Sequence, residues 1–452
     1  MTAAAEPPQG QLRRELGLRD LVLLNIAAVV GVRWLAAAAH SGSGAFLLQL
    51  LAAGFFFVPS ALAVAGLSRR FPGEGGLYLW TRETFGEFHG FLCAWFYLIS
   101  NIVFFPTVLL FGVSLSSYVF GPAAVAAFSR PAVAIPLTFA ALWLAFLTNL
   151  IGLNISKWFT NLGGASTYVV AIILFVLGLR LALRDGMPAP VHLLPSISFE
   201  SLNLWSQIAF SFIGLELGAI LGGEIRNPTR TIPQAAWISA GASVAFYIGG
   251  AWALLAILPA QAISPLAGLA QAGQAAGARL HLGWLTAPFA FLISAGILGQ
   301  VGAYVTGISR LPYAIGLDRH LPAAFARLHP RFGTPYVSLL AQLAAATVFL
   351  LAMQAGETLG AAYQTLVDMS TLTGFLPFLY IFGSAFRCGH RFAGVSGFTI
   401  SLAAVVLSLS PPEEIRSLWT FEAKLIGGCL VLTVLGWLIY RQGSAARRAQ
   451  AA

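Results

Sequence analysis

Twelve apolar segments alternate with short polar stretches along the chain. They cover residues 18–39, 44–67, 88–120, 131–150, 158–183, 201–222, 232–257, 284–315, 336–353, 359–386, 392–409 and 419–440. A helix of about 20 apolar residues crosses the hydrocarbon core of a bilayer. A backbone exposed to lipid must also satisfy its hydrogen bonds internally, which each segment can do as a helix. The pattern therefore predicts an all-α polytopic membrane protein with about 12 transmembrane helices.

The composition excludes a soluble protein. Hydrophobic residues make up 58% of the chain and charged residues only 9%, whereas soluble domains average about 25% charged residues. Residues 1–17 contain no apolar core, so we expect no cleavable signal peptide. We predict that residues 1–17 and 441–452 are cytoplasmic tails and that the bilayer is the principal environment of the remainder.

The basic residues predict the orientation. With the N-terminus in the cytoplasm, 18 of the 25 Lys and Arg residues fall on the inner side and six on the outer side, and Arg33 lies within a span. This positive-inside asymmetry predicts a multi-pass protein of the cell (inner) membrane with both ends cytoplasmic. The formal charge of +9 is thus a topology signal, and we expect no nucleic-acid partner. Glu224, Arg226 and Arg230, together with Arg310 and Arg319, are candidates for ion pairs of an inner gate, with simple positive-inside bias as the alternative.

The polar residues give no sign of metal or catalytic chemistry. Cys93, Cys388 and Cys429 are scattered, and the seven histidines form no ligand pattern, so we expect no metal, no cofactor and no disulfide framework. No nucleophile and base are arranged as in an enzyme. We therefore expect that the protein is not an enzyme.

Two apolar segments carry an interruption of the same kind. Segment 1 contains Gly31 and Arg33 in mid-span, and segment 6 contains Gly214 and Glu216. Interrupted helices at corresponding positions of two halves are the best sequence indication of a transporter site. Segments 1–5 and 6–10 place these two interruptions in correspondence.

Several loop and helix motifs resemble the amino acid–polyamine–organocation permeases, including bacterial amino acid permeases and glutamate/GABA antiporters. The motifs follow one another in the family's order over nearly the whole chain: Phe71–Tyr78 with Thr81–Gly86, Phe212–Glu216, Glu224–Pro233, Gly307–Arg310 with Leu317–Pro322, Phe332–Pro335, and Tyr363–Asp368.

The resemblance implies a LeuT-like fold of five-plus-five inverted repeats with broken helices 1 and 6. Residues 18–183 and 201–386 would form the two repeats, and residues 392–440 would form helices 11 and 12 outside them. Transport would proceed by alternating access. The substrate carboxylate would bind amide N–H groups of helix 1 and its ammonium group the freed carbonyls of helix 6.

One departure from the family changes the expected site. Relatives usually carry Gly-Ser-Gly in the first break, where this chain reads Gly31-Val32-Arg33, so the carboxylate cradle is not carried over unchanged. An intramembrane Arg is a functional hypothesis by default. Arg33 could bind a substrate carboxylate, replace a sodium ion, pair structurally with Glu216, or extend towards the membrane interface.

The candidate residues form two groups. We predict substrate contacts from Gly31, Val32, Arg33, Asn101, Phe210, Ser211, Ile213, Gly214 and Tyr304. We predict gating or proton coupling from Glu216 and Asp368. The alternatives are interhelical hydrogen bonding for Asn101 and Asp368, capping of the broken helix for Glu216, and plain packing for the aromatic residues.

The combined prediction is a secondary active transporter, either a proton-coupled symporter or an exchanger. Its partners would be an amino acid or related small organic solute, the lipid bilayer and a proton, with no obligatory protein partner. The alternative is a permease-like amino acid sensor that binds a solute without transporting it.

Overall fold

A computed structural model describes residues 14–189, 194, 199–264, 267–353, 359–409 and 418–451. Most of the predicted tail 1–17 therefore lies outside the described residues. The helices are α1 (Leu18–Val29), α2 (Arg33–His40), α3 (Ala45–Ala52), α4 (Val58–Arg70), α5 (Leu77–Phe85), α6 (Glu87–Ser116), α7 (Pro122–Phe128), α8 (Pro131–Leu150), α9 (Leu153–Asp185), α10 (Phe199–Phe210), α11 (Leu215–Ile220), α12 (Pro228–Ile257), α13 (Gly268–Arg279), α14 (Thr286–Ile308), α15 (Arg310–Leu317), α16 (Tyr336–Met353), α17 (Leu359–Arg387), α18 (Arg391–Leu407) and α19 (Leu418–Ala451).

Eight helical stretches in the described residues are long and apolar enough to cross a membrane. They are Ala45–Arg70, Glu87–Val119, Pro131–Leu150, Ile155–Asp185, Pro228–Ile257, Gly283–Leu317, Val367–Arg387 and Ile426–Ser444. The pair α1 and α2 adds a ninth, bent by 43° at its break. Shorter apolar helices cover Trp205–Ile220, Tyr336–Leu351 and Arg391–Leu407. The chain is thus an all-α multi-pass membrane protein, and about 12 spans stays a prediction.

Glycine and proline set the beginnings of several spans. α6 begins after Gly86 at φ 95° and α9 after Gly152 at φ 130°, a backbone region that glycine enters without a steric penalty. α8 begins at Pro131, a position where the backbone N–H has no acceptor within the helix, so proline is well suited to it. The predicted segment starts at 88, 131 and 158 therefore lie close to the first residues of α6, α8 and α9.

The helices around the centre approach closely through small residues. A Cβ atom added to Gly163 of α9 would lie 2.3 Å from the Cα atom of Gly299 in α14. The same atom on Gly178 of α9 would lie 2.8 Å from the carbonyl oxygen of Ala253 in α12. Close backbone approach is the main source of helix association in lipid, where burial of apolar surface gives little gain. α9 is thereby packed against two of the helices that surround the breaks.

The repeat boundaries at 18–183 and 201–386 stay predictions, although the structure contains both predicted helix breaks. α19 continues as far as Ala451, through most of the segment assigned as a tail at 441–452. At one end of the bundle, the loop after α4 lies against the segment after α11, and an isolated bridge joins Leu16 to Ile225. We call this end, which carries Arg69, Arg70, Arg82, Arg226, Arg310 and Arg319, the basic end.

Candidate substrate site at the two helix breaks

The first break lies between α1 and α2. The backbone is extended at Val30, with φ −79° and ψ 91°, and helix resumes at Arg33. A Cβ atom on Gly31 would lie 2.8 Å from Cδ1 of Trp34, so a larger residue would displace that ring. Helix breaks expose main-chain N–H and C=O groups that otherwise bond within the helix. The predicted residues Gly31, Val32 and Arg33 all lie at this break.

The second break lies between α10 and α11. Residues Ser211–Gly214 form a turn, and Gly214 has φ 139°, a conformation that residues with a side chain rarely adopt. A Cβ atom on Gly214 would lie 3.0 Å from the backbone nitrogen of Val29 and 3.1 Å from the carbonyl carbon of Ala28. The two breaks are therefore in direct contact.

Two side chains from neighbouring helices bond to the exposed backbone of the breaks. The Tyr247 hydroxyl of α12 accepts a hydrogen bond from the Gly31 N–H at 3.0 Å. It lies 2.6 Å from the carbonyl oxygen of Val29 and 2.9 Å from that of Ser211, so its single proton is shared by a carbonyl of each break. Gln300 Nε2 of α14 donates to the Ala28 carbonyl at 3.0 Å.

A small cavity lies beside the breaks. Five of the predicted contact residues line it: Asn101, Phe210, Ser211, Ile213 and Tyr304. The other lining residues are Ala28, Val29, Trp34, Tyr97, Ser100, Phe104, Gln300 and Gly374. The aromatic residues of this wall are at most 7% exposed. The cavity is therefore walled largely by buried residues of the two breaks and of the helices beside them.

Five of the thirteen residues that line the cavity are aromatic. Trp34 meets Phe210 edge to face, with 5.6 Å between the ring centroids, and Phe104 lies 4.9 Å from Tyr304. Such pairs are stabilising beyond the area that they bury. Phe210 and Tyr304 were predicted from the sequence, whereas Trp34 and Phe104 were not.

Arg33 places a fixed positive charge against this wall. The side chain is only 2% exposed, and its guanidinium carbon lies 4.1 Å from the Trp34 ring centroid and 5.0 Å from that of Phe104. A guanidinium over an aromatic face is attracted by the negative charge of the ring. The cation is thereby held next to two cavity residues, although Arg33 itself is not among the residues that line the cavity.

Glu216 forms hydrogen bonds at the second break. Its Oε1 accepts a hydrogen bond from the Tyr97 hydroxyl at 2.5 Å, and its Oε2 accepts one from the Gly214 N–H at 3.1 Å. Glu216 thus satisfies an exposed amide at the start of α11 and connects the break to α6. These contacts have the form of the capping interaction that was weighed for this residue.

The remaining predicted residues have different environments. Asn101 donates to the carbonyl of Tyr97 one turn earlier in α6, at 2.7 Å, while its side chain also lines the cavity. Asp368 is buried in α17 but is absent from the cavity wall. The Tyr304 hydroxyl lies 3.4 Å from the Ile213 carbonyl, which is long for a hydrogen bond.

A second polar cluster closes the basic end. Arg310 and Glu224 form a fully buried ion pair at 2.8 Å. Glu74 accepts a hydrogen bond from the Gly223 N–H at 2.6 Å, and Asp318 contacts Tyr78 and Arg82. Burial and, to a smaller extent, the negative charge of Glu224 raise the pKa of Glu74 to about 8. Of the five candidate residues for inner-gate ion pairs, Glu224 and Arg310 pair with each other, whereas Glu74 was included only within the Phe71–Tyr78 motif.

Known proteins with similar sequences are transporters. Residues 16–394 match the family model described as amino acid permease. The chain is 29% identical to an uncharacterised transporter of Legionella pneumophila, over 95% of this chain and 97% of that protein. It is 27% identical to the serine/threonine exchanger SteT of Bacillus subtilis, over 75% of this chain and 77% of SteT. A glutamate/gamma-aminobutyrate antiporter of Lactococcus lactis is 25% identical over 86% of this chain and 83% of its own.

A solved structure shows the same fold. MhsT, crystallised in complex with L-phenylalanine, matches 89% of this chain and 100% of its own with a TM-score of 0.62. The sequence identity is 14%, so this similarity concerns the fold alone. It confirms the LeuT-like architecture that the sequence predicted.

Proposed function

The chain belongs to the amino acid permease family of the amino acid–polyamine–organocation superfamily, and from that premise we propose that it is a secondary active transporter. It would move an amino acid or a related small organic solute by alternating access, as a proton-coupled symporter or as an exchanger. The observation that carries this proposal is the small cavity at the contact between two helix breaks. Half-helix ends beside such a cavity are the binding elements of this class of transporter.

The cavity offers different environments to the two ends of a small solute. Arg33 would attract a carboxylate because its guanidinium is positively charged. The N–H groups at the start of α2 would also attract a carboxylate because they form the positive end of the helix dipole. The carbonyl of Ile213 at the second break would attract an ammonium group. Trp34 and Phe210 would cover the carbon skeleton between them.

The names of the relatives support this class of substrate. SteT is an exchanger of serine and threonine, and the Lactococcus lactis protein is an antiporter of glutamate and gamma-aminobutyrate. Both act on small amino acids or their derivatives, and both exchange one solute for another. We therefore regard an amino acid as the substrate and exchange as one of two modes to be tested.

The polar cluster at the basic end would be the gate on one side of the cavity. With this end in the cytoplasm of the cell membrane, as the basic residues predict, the buried pair of Arg310 and Glu224 closes the inner path. Separation of this pair would open the site inward. Glu216 and Asp368 would then link gating to proton uptake, with Glu216 acting at the second break through Tyr97 and Gly214.

Uptake into proteoliposomes tests the proposal. Purified protein would be assayed with a panel of labelled amino acids and amines, with and without a pH gradient and with internal solute for exchange. We expect uptake of at least one amino acid, driven by a proton gradient or by exchange. Solute binding without uptake under any of these conditions would instead identify a sensor.

Arg33→Gly tests the part that Arg33 plays in recognition. We expect a loss of affinity that is largest for substrates with a carboxylate and small for amines that lack one. Arg130→Gly is the matched control, because Arg130 is exposed just before α8. Unchanged selectivity and affinity in Arg33→Gly would exclude a carboxylate contact by this residue.

A further inference from the structure

Four arginine residues lie where α4, α17 and α18 meet at the basic end. Arg69 and Arg70 are the last residues of α4, Arg387 is the last residue of α17, and Arg391 is the first residue of α18. All four are exposed. We call these four residues the arginine patch.

The contact between α4 and the start of α18 brings the patch together. The imidazole of His390, which immediately precedes Arg391, lies directly against Gly66 of α4. Arg69 and Arg70 follow Gly66 by three and four residues, and residues at this spacing share one face of a helix. The two arginines of α4 therefore lie on the face that α4 turns towards the start of α18.

The patch carries four positive charges without a carboxylate partner. None of its arginines forms an ion pair among the residues that the structure describes. Asp368 is the only acidic residue in the sequence of α4, α17 and α18, and the helix between it and Arg387 is about 28 Å long. Arg387 instead donates to the carbonyl of Thr84 at 2.8 Å. Like charges without an internal partner attract an anion from outside the chain.

The patch lies at the boundary of the membrane. Two of the stretches that are long and apolar enough to cross a bilayer, Ala45–Arg70 and Val367–Arg387, end at residues of the patch. The polar headgroups of a bilayer begin where its hydrocarbon core ends. The phosphate groups of the surrounding lipids are therefore the anions nearest to the patch.

An exposed apolar surface continues from the patch along α18. Four of its residues are 47–58% exposed and fall on one face of the helix: Phe392, Val395, Leu402 and Val406. Phe55, between α3 and α4, lies beside this face, since its carbonyl accepts a hydrogen bond from the Ser396 hydroxyl at 2.7 Å. Phe55 is also 49% exposed. Charge at one end and apolar surface along the helix match the two parts of a phospholipid.

We propose that the arginine patch and the exposed apolar face of α18 bind an anionic phospholipid. Guanidinium groups would bind the phosphate through paired hydrogen bonds, and an acyl chain would lie along α18. The bound lipid would thereby join α4 to α18. This inference goes beyond the proposed transport function and does not depend on it.

The charge of the patch argues against a second copy of this chain as the occupant. A two-fold contact centred on this surface would place the same residues of both copies together. The arginine patch of one copy would then lie against that of the other, and like charges repel. An anionic lipid brings the opposite charge to the same surface.

Thermal unfolding of the purified full-length protein in mixed micelles tests the site. Phosphatidylglycerol and phosphatidylcholine with the same acyl chains would be titrated separately at equal ionic strength. A ligand that binds the native state raises the unfolding midpoint in a saturable way. We expect such a rise with phosphatidylglycerol and none with phosphatidylcholine. Equal responses to the two lipids would overturn the proposal.

The combined substitutions Arg69→Gln, Arg70→Gln and Arg391→Gln test the patch itself, and they leave the contact between Arg387 and Thr84 intact. We expect each replaced arginine to weaken the apparent affinity for phosphatidylglycerol about fivefold. Arg391→Gln alone, with the expected fivefold effect, provides the reading if the combined variant is unfolded in phosphatidylcholine. A wild-type affinity in the folded variants would contradict the site.

Arg230→Gln, Arg327→Gln and Arg331→Gln combined are the matched control. These three arginines are exposed, and their replacement removes the same charge outside the patch. We expect this control to keep the wild-type affinity for phosphatidylglycerol. Equal weakening in the two combined variants would show a general effect of net charge and would overturn the proposal.

Two further measurements identify the occupant. Inorganic phosphate added to phosphatidylcholine micelles should leave the midpoint unchanged, and a rise as large as that with phosphatidylglycerol would assign the patch to a free anion instead. Native mass spectrometry should show a phosphatidylglycerol molecule that wild type and control retain and the patch variant loses. A dimer that dissociates in the patch variant, with the same lipid retained throughout, would assign the surface to a second copy and reject the lipid site.

Discussion

Gly214 of the second helix break lies directly against Val29 of the first. A Cβ atom on Gly214 would approach the Val29 backbone nitrogen to 3.0 Å, and the Gly214 backbone has φ 139°. The same Cβ atom would lie 3.0 Å from Cγ2 of Val29, so the two broken helices meet through main-chain atoms and the Val29 side chain. Both the conformation and the space at this position require glycine.

Gly214→Ala should destabilise the protein and abolish transport. A side chain in a sparsely populated backbone region costs about 1–3 kcal/mol, and here the added methyl group also separates the breaks. We expect a lower thermal unfolding midpoint and at least a tenfold loss of uptake. Gly121→Ala is the control, because Gly121 has φ 91° with no atom within 4 Å of an added Cβ. Equal effects of the two substitutions would show that backbone strain alone is responsible.

The stability of the protein should fall much more when one partner of the buried ion pair at the basic end is replaced than when both are replaced. Arg310→Met leaves the Glu224 carboxylate buried without its guanidinium, and such a change costs about 3–5 kcal/mol. Arg310→Met combined with Glu224→Met should recover most of that loss of stability. Thermal or denaturant unfolding in detergent would measure both variants.

An exposed pair provides the control for this comparison. Arg184 and Asp185 are adjacent at the end of α9, and Asp185 also contacts Arg279. Pairs of this kind contribute less than about 1 kcal/mol, so Asp185→Asn should change stability little. If Arg310→Met combined with Glu224→Met lowers stability more than Arg310→Met alone, the buried pair itself stabilises the fold.

The sequence predicted the fold and the two helix breaks because both depend on local patterns. Apolar length and the motif order indicated the all-α LeuT-like fold, and the Gly31 and Gly214 interruptions indicated where helix would stop. Tyr247 and Gln300 were missed because their role depends on packing of α12 and α14 against the breaks. A polar residue within an apolar span was the available signal for Gln300. Trp34 carried no signal, since aromatic residues make up 12% of the chain.

The contact between Tyr97 and Glu216 should be energetically strong. The Tyr97 hydroxyl donates to Glu216 at 2.5 Å in a buried environment, and hydrogen bonds to charged groups contribute about 1.5–3 kcal/mol. Tyr97→Phe and Glu216→Gln should each reduce kcat/KM for uptake. In a double-mutant cycle, the second substitution should have little further effect once the first is present.

Additive losses in that cycle would show that Tyr97 and Glu216 act independently. Substrate affinity should be measured alongside kcat/KM, because Tyr97 lines the cavity whereas Glu216 does not. A fall in affinity confined to Tyr97→Phe would assign Tyr97 to substrate binding. A shared fall in the rate of transport would assign the pair to the conformational change.

Glu74 should make closure of the basic end dependent on pH. The pKa of Glu74 is about 8 in the closed arrangement, against 4.5 in water, because of burial and of the adjacent Glu224. Arg310 and Tyr313 are ionisable groups that also interact with Glu74. Below pH 4.5 the carboxyl is protonated in both the closed and the hydrated state. Between pH 4.5 and about 8 only the closed state holds the proton, so closure becomes less stable as pH rises through this window.

We expect the unfolding midpoint to fall between pH 4.5 and about 8 in wild type, and to fall less steeply in Glu74→Gln. Glu83→Gln, at an exposed carboxylate, should retain the wild-type slope, and a wild-type slope in Glu74→Gln would assign the pH dependence to another group.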